Sequence, residues 1–266
     1  MPAIARDAAS IIIMCDDPSR ASIEILMVKR HARSGFAADM YVFPGGAVEE
    51  CDCEESAAAI YAGVSAEDAA AIVADAPSPA LALGILIAGI RETFEETGIL
   101  LARDASGKMV SYEGHEGERY AALRERMHDG QLSFAEIIAG EGLELATDSL
   151  TYFAHWITPE LSPIRYDTRF FLAQAPPHQD ALHDNVETTA HLWISPREAL
   201  ERSERGTFAM LPPTMINLMA LAPFSSVEDA LAGAAEEDVS TILPRVSFEA
   251  GKPRLLLPDD PEYGED

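Results

Sequence analysis

Three glutamates crowd one short stretch of this chain, Arg91-Glu92-Thr93-Phe94-Glu95-Glu96-Thr97-Gly98. On a helix, Glu92, Glu95 and Glu96 stand at i, i+3 and i+4, so their carboxylates share one face. Like charges at that spacing repel by about a few tenths of a kcal/mol per i, i+4 pair on an exposed helix. A divalent cation turns the repulsion into coordination, and carboxylate oxygens suit Mg2+ or Mn2+. Three acids on a helix more often make only a solvated acidic face. Here the positions Arg-Glu-x-x-Glu-Glu-x-Gly would recur by chance in only about one in several thousand chains of this length. A Phe43-Pro44-Gly45-Gly46 turn also lies upstream. Arg91 stands four residues before Glu95, the spacing of a helical ion pair.

These acids need a rigid base. Leu83, Leu86, Ile87, Ile90 and Phe94 recur at threes and fours on the opposite face, a stripe suited to burial against a sheet. Ser78-Pro79 reads as a cap followed by proline at the first helical position, and Gly98 as the terminating glycine. The helix is therefore predicted from Pro79 to Thr97. Ala8 to Cys15 and Ile23 to Val28 read as strands around the Asp16-Asp17-Pro18-Ser19 turn, with Tyr41-Val42-Phe43 as a short third run. A short helix is predicted around 66–74, and two more over 118–128 and 133–139, the last opened by a Ser133/Glu136 capping box. Further strands are expected at 150–157, 168–173 and around Trp193. Helices follow at 196–202, 212–221 and 226–235, then a closing hairpin over 239–248 and 253–257. Strands and helices mix without regular alternation, which favours a mixed sheet between helices.

The chain has 266 residues, enough for one large domain. It is 48% hydrophobic and carries a net charge of −26, so a core is available and the basic footprint of a nucleic-acid binder is missing. The longest apolar stretch, residues 80–90, is too short to span a bilayer. Cys15, Cys51 and Cys53 form no disulfide framework and lack the paired spacing of a zinc site, so free thiols are expected. No basic and apolar leader opens the sequence. Together these features point to a cytoplasmic protein.

Gly46 through Ile99 resembles the Nudix box: Gly, five residues, Glu, seven residues, then Arg-Glu-aliphatic-x-Glu-Glu-x-Gly-aliphatic. Gly46 matches its start, and Arg91, Glu92, Glu95, Glu96, Gly98 and Ile99 match its end. Thr93 stands at the aliphatic position. Between Gly46 and Arg91 lie 44 residues, and the early glutamate is missing: counting forward from Gly46 reaches Asp52, counting back from Arg91 reaches Leu83. An interrupted box of this kind resembles the branch of coenzyme A diphosphatases that carry an insertion inside it. Segments around Trp156-Ile157-Thr158-Pro159, Arg165 to Phe171, Trp193 to Pro196 and Leu211 to Thr214 are similar as well.

The resemblance implies an α/β fold: a Nudix-type α/β/α sandwich with a mixed sheet and helical insertions. A single domain is expected over 1–266, with insertions at about 47–78 and 104–148 capping the site and a flexible tail at 259–266. The implied activity is metal-dependent hydrolysis of a diphosphate linkage, in coenzyme A or an acyl-coenzyme A. ADP-ribose, NADH, sugar nucleotides and a non-catalytic nucleotide-binding role stay as alternatives. Glu95 and Glu96 are the expected principal ligands of Mg2+ or Mn2+, Glu92 a ligand or base, Arg91 their orienting partner, and Gly46 a carbonyl donor to the metal. Glu187, with Asp184 as its alternative, is the candidate loop acid. Arg30 and Arg33, in the cluster Lys29 to Arg33, and Arg165 and Arg169 are candidates for substrate phosphates. Glu49 is expected to stand outside the site. The partner is a small molecule, with neither nucleic acid nor membrane, and a homodimer is compatible with the sequence.

Overall fold

The computed structural model describes residues 3–17, 19–54, 63–181, 188–249 and 252–264. Twelve strands are formed among them: β1 (Arg6–Asp17), β2 (Ser22–Arg30), β3 (Tyr41–Val42), β4 (Gly45–Ala47), β5 (Ala102–Arg103), β6 (Glu144–Leu145), β7 (Thr151–Ile157), β8 (Tyr166–Gln174), β9 (Thr188–Ile194), β10 (Thr241–Ile242), β11 (Arg245–Glu249) and β12 (Lys252–Leu256). The α-helices are α1 (Ala66–Ile72), α2 (Pro79–Thr97), α3 (Glu116–His128), α4 (Phe134–Glu141), α5 (Pro196–Glu204), α6 (Pro212–Leu221) and α7 (Val227–Ala235). A 3-10 turn covers Glu50–Cys53.

The main sheet runs β10-β7-β8-β1-β2-β3, with β4 also pairing β1 and β9 also pairing β2. It is mixed: β1 lies parallel to β8 and β10 parallel to β7, while β1–β2, β1–β4, β2–β9 and β7–β8 are antiparallel. Side chains of β1 alternate between two cores, because successive residues of a strand point to opposite faces. Ala9, Ile11 and Ile13 pack with α2, α3 and α4. Ile12 and Met14 pack with α5, α6 and α7. Helices thus cover both faces, giving the α/β/α sandwich with a mixed sheet that the resemblance implies.

Helix α2 begins and ends where its sequence says. The Ser78 side chain accepts from Leu81 N, Pro79 opens the first turn, and Gly98 ends the helix at φ 76°. Its interior departs from a one-sided stripe. Every residue from Ala82 to Arg91 is buried, not only the face toward β1. The insertions supply the second cover: α1 and the 3-10 turn pack on one flank, while Tyr120 of α3 and Phe134, Ile137 and Ile138 of α4 share the same core. Each of these large apolar side chains contributes about 1.5–3 kcal/mol by leaving water. Thr93 fits this dry setting because its Oγ1 donates to the Gly89 carbonyl at 2.8 Å.

Two sequence expectations change. The run at 239–248 is interrupted at Pro244: Thr241–Ile242 joins the main sheet at β7, and only Arg245 onward pairs with β12. The stretch 259–264 is tied back, since Tyr263 OH donates to the Leu243 carbonyl at 2.6 Å and its ring lies under Arg245. An aromatic with a polar tip can anchor an acidic segment that charge alone would leave in solvent. Among the described residues no helix is long and apolar enough to cross a membrane.

Candidate active site

Helix α2 brings its last two turns to the short strand β4. Gly46 explains the close approach: a side chain there would place its Cβ 2.3 Å from the Glu92 carboxyl carbon. Gly45 accepts no side chain either, because a Cβ would sit 2.3 Å from the Ala9 carbonyl oxygen. The two glycines therefore let a carboxylate, and not a β-carbon, occupy the space beside the backbone of β4.

Arg91 organises what stands around that space. It is 5% exposed. A guanidinium has five N–H donors, and here each has an acceptor. Nε donates to Asp52 Oδ1 at 2.9 Å, and Nη2 to Asp52 Oδ2 at 2.9 Å and to the Ala47 carbonyl at 3.1 Å. Nη1 donates to Glu92 Oε1 at 3.0 Å and Glu95 Oε1 at 3.1 Å. Asp52 grips one side of the guanidinium in the bidentate manner that gives such pairs their directionality, and the other side holds the two site carboxylates. Asp52, reached by counting forward through the interrupted box, comes from the 3-10 turn inside the insertion and is buried on Arg91.

Glu96 has other partners than this pair. One of its oxygens accepts from Gly45 N at 3.1 Å and the other lies 3.5 Å from Arg30 Nη1. Arg124 Nε donates to the Glu95 carbonyl at 2.8 Å, and His128 Nε2 lies 3.1 Å from it. Basic groups placed there satisfy a terminal helix carbonyl and favour the negative end of the helix dipole. Burial pushes the Glu95 carboxyl above its ordinary range; the Arg91 and His128 charges pull it back only in part.

The site opens into a cleft of about 460 Å³ whose walls include Arg30, Glu49, Arg91, Glu92 and Glu95. Its floor is a row of paired residues on one face of the sheet: Ala47 of β4 opposite Ala8 of β1, Ala8 opposite Thr168 of β8, and Thr168 opposite Trp156 of β7. Small residues make a trough, and Trp156 closes its floor three strands, or about 14 Å, from Ala47 at the usual ~4.8 Å spacing. Pro244, just after β10, and Leu255 of the β11–β12 hairpin wall that far end.

The remaining expected residues divide. Arg30 lines the cleft. Arg33 is exposed and outside its walls, its N–H donating to His31 Nδ1, and Lys29 is paired with Asp39 at 2.6 Å. Arg165 holds backbone, donating to the carbonyls of Thr158 and Ala3. Arg169 does not reach the cleft. It is 2% exposed on the other face of β8 and joins Asp7, Asp75 and Asp167, next to His155. The strand alternation decides this: Thr168 and Phe170 face the trough, so Arg169 cannot. Glu187 and Asp184 lie outside the described residues. The next residue, Thr188, is buried with Oγ1 3.5 Å from the Glu96 carbonyl. Glu49, expected outside, is a wall of the cleft, because the chain turns at the start of the 3-10 helix and brings it back beside α2. Only its place two residues after Ala47 could have signalled this.

The donors suit a hard divalent ion: the carboxylates of Glu92, Glu95 and Glu96 and the Gly46 carbonyl offer oxygen only, and the absence of a side chain at Gly46 leaves room at its backbone. As placed, the carboxylates are occupied with Arg91, Gly45 and Arg30, and among the described residues no three acidic, histidine or cysteine side chains are gathered around one point.

Residues 5–221 match the family model described as the NUDT19 Nudix domain. The chain belongs to that Nudix hydrolase family. It is 30% identical to the acyl-coenzyme A diphosphatase NUDT19 of Gallus gallus, covering 98% of this chain and 80% of that protein. The acyl-coenzyme A diphosphatase NUDT19 of Homo sapiens is 31% identical over 68% of this chain, which spans about half, 51%, of the human protein. Among solved structures, a NUDIX hydrolase from Alicyclobacillus acidocaldarius superposes with a TM-score of 0.68 at 27% identity, covering 86% of this chain and 96% of that one.

Proposed function

We propose that this enzyme hydrolyses the diphosphate linkage of coenzyme A and its acyl thioesters. The observation that carries the reading is a single cleft that joins an acid-walled end, with Glu92 and Glu95 on Arg91, to a trough running about 14 Å across the sheet at ~4.8 Å per strand. A diphosphate with a long organic arm on one side uses both parts. The relatives named acyl-coenzyme A diphosphatases agree with it.

Nudix hydrolases generally use divalent metals. In this reading Glu92, Glu95, Glu96 and the Gly46 carbonyl hold Mg2+ or Mn2+, which when bound neutralises phosphate oxygens and acidifies water. The chain's own groups do the rest. Arg91 keeps Glu92 and Glu95 side by side and correctly turned. Glu92, held toward the cleft by Arg91, serves as a further ligand or as the base that takes the proton of the attacking water. Arg30 at the cleft wall draws in the anionic substrate against the chain's net charge of −26. Water adds across the P–O–P bridge and leaves two phosphate monoesters, a nucleotide and a phosphopantetheine. Glu187 stays a candidate for the loop acid.

Coenzyme A, a set of acyl-coenzyme A esters, ADP-ribose, NADH and a sugar nucleotide, each with Mg2+ or Mn2+, would be assayed for products by chromatography. Phosphopantetheine or its acyl form as the dominant product is expected. Turnover of ADP-ribose, NADH or the sugar nucleotide with coenzyme A untouched would replace this reading with the corresponding pyrophosphatase. Tight binding without any turnover would leave a nucleotide-binding module.

A further inference from the structure

The far end of the cleft is built by residues outside the family-matched region. Pro244 and Leu255 line it, and both come after residue 221, where the match with the NUDT19 Nudix domain ends. Pro244 follows β10, which lies beside β7 with Ile242 opposite Trp156. The floor row from Ala47 to Trp156 therefore continues one strand further, toward the C-terminal hairpin β11–β12 that carries Leu255. Leu211 and Pro212, at the start of α6, line the same cleft just after Ala209, whose carbonyl accepts from Tyr41 N of β3. The hairpin is held in place by its neighbours: Leu256 is buried, and Tyr263 ties the following turn to Leu243.

This end differs in chemistry from the other. The carboxylates, Arg30 and Arg91 stand at the β4 side, while Trp156, Pro244 and Leu255 at the β10 side present apolar surface and no charge. A ligand whose diphosphate sits at the glutamates and whose arm follows the floor reaches this wall only with its terminal group. We infer that the C-terminal hairpin forms the acyl-end subsite of the enzyme, and that Leu255 sets which acyl chain lengths are preferred. The inference rests on the coenzyme A reading above. Apolar burial of the chain end favours esters over free coenzyme A, and the depth left by Leu255 decides how many methylenes are accommodated.

The test uses the full chain with a series of acyl-coenzyme A esters from acetyl to palmitoyl, together with free coenzyme A, and compares Leu255→Ala with Leu255→Trp. Leu255→Ala is expected to move the preferred chain length upward and Leu255→Trp to move it downward. The ratio of kcat/KM for long over short esters should change by roughly tenfold in opposite directions, the scale of discrimination that one or two methylenes give in an apolar pocket. Opposite shifts cannot come from general loss of folded enzyme, which lowers all substrates together. If wild type cleaves coenzyme A esters and both variants keep its chain-length profile within twofold, the hairpin subsite is overturned while the diphosphatase reading stands. If wild type cleaves only other diphosphates, the reading itself has failed, and the acyl subsite with it.

Discussion

At the scale of residues, one buried arginine orients the acids of the site. Arg91 spends all its donors on Asp52, Ala47, Glu92 and Glu95, so the two carboxylates that open into the cleft are aimed by a group that Asp52 aims in turn. Removing the charge of Asp52 with Asp52→Asn leaves a buried cation short of a partner. Losing one side of a buried pair costs about 3–5 kcal/mol, and the retained amide should hold the loss near the lower figure. Urea unfolding would read it, and activity should then need more metal. For Glu95→Gln, turnover should fall by roughly 10²–10⁴-fold, the scale of a lost acid–base or electrostatic group. Its pH behaviour has a definite sign. Burial raises the Glu95 carboxyl in the metal-free protein. A raised folded value means that the ionised form is disfavoured by folding at neutral pH. Glu95→Gln should therefore be slightly more stable than wild type at pH 7, and that gain should vanish below the ordinary glutamate range. A variant that is inactive and also less stable at pH 7 would contradict this account. Glu49, a wall of the cleft, cannot serve as the silent control for such work; Glu228, exposed on α7, can.

At the scale of elements, the site depends on where α2 stops. Gly98 takes φ 76°, and a Cβ there would also stand 3.3 Å from Arg124 Nη1, on the side chain that bonds the Glu95 carbonyl. Gly98→Ala should cost about 1 kcal/mol from backbone strain, visible as a drop of a few degrees, about 2–4 °C, in the thermal midpoint of a domain this size. Turnover should fall too, because Arg124 must shift against the turn that carries Glu95 and Glu96. An unchanged midpoint would show that the helix end relaxes without strain. The caps that position α2 were legible: Ser78, Pro79 and Gly98 act locally, through backbone groups a few residues away. The splitting of the 239–248 run at Pro244 was less so, because only the pairing of Thr241 and Ile242 with β7, far back in the chain, separates β10 from the hairpin.

At the scale of the whole molecule, a second polar cluster holds the sheet to the insertion. Arg169 of β8 bonds Asp7 of β1 at 2.6 Å and Asp75, between α1 and α2, at 2.8 Å, while Tyr152 donates to Asp75 and His155 lies 2.5 Å from Asp167. Burial alone would raise the Asp75 carboxyl; the hydrogen bonds from Tyr152 and Arg169 outweigh it and hold Asp75 below its ordinary range. That depression contributes stability present above the unfolded carboxylate's range and lost as pH falls through the lower folded value. Arg169→Met should destabilise toward the lower end of about 3–5 kcal/mol, since its partners are only partly buried. The deficit should be largest at neutral pH and shrink in acid, where the carboxylates are protonated in either protein. Denaturant titrations at several pH values would show it; a deficit independent of pH would deny Arg169 this electrostatic role.

The sequence by itself determined the glutamate helix, its ends and the strands around it, because helix caps, apolar periodicity and turn residues act over a few positions. It also determined the family, since Arg91, Glu92, Glu95, Glu96 and Gly98 keep their spacing whatever is inserted before them. Tertiary structure alone decided which charges meet. Asp52 and Arg91 are 39 residues apart, Arg169 and Asp7 162 apart. Whether a distant arginine faces a cleft or a core depends on strand register, where a shift of one residue exchanges the two faces. Arg169 and Thr168 differ by that single step, and only the pairing of β8 with β1 and β7 assigns one to the buried cluster and the other to the floor of the cleft.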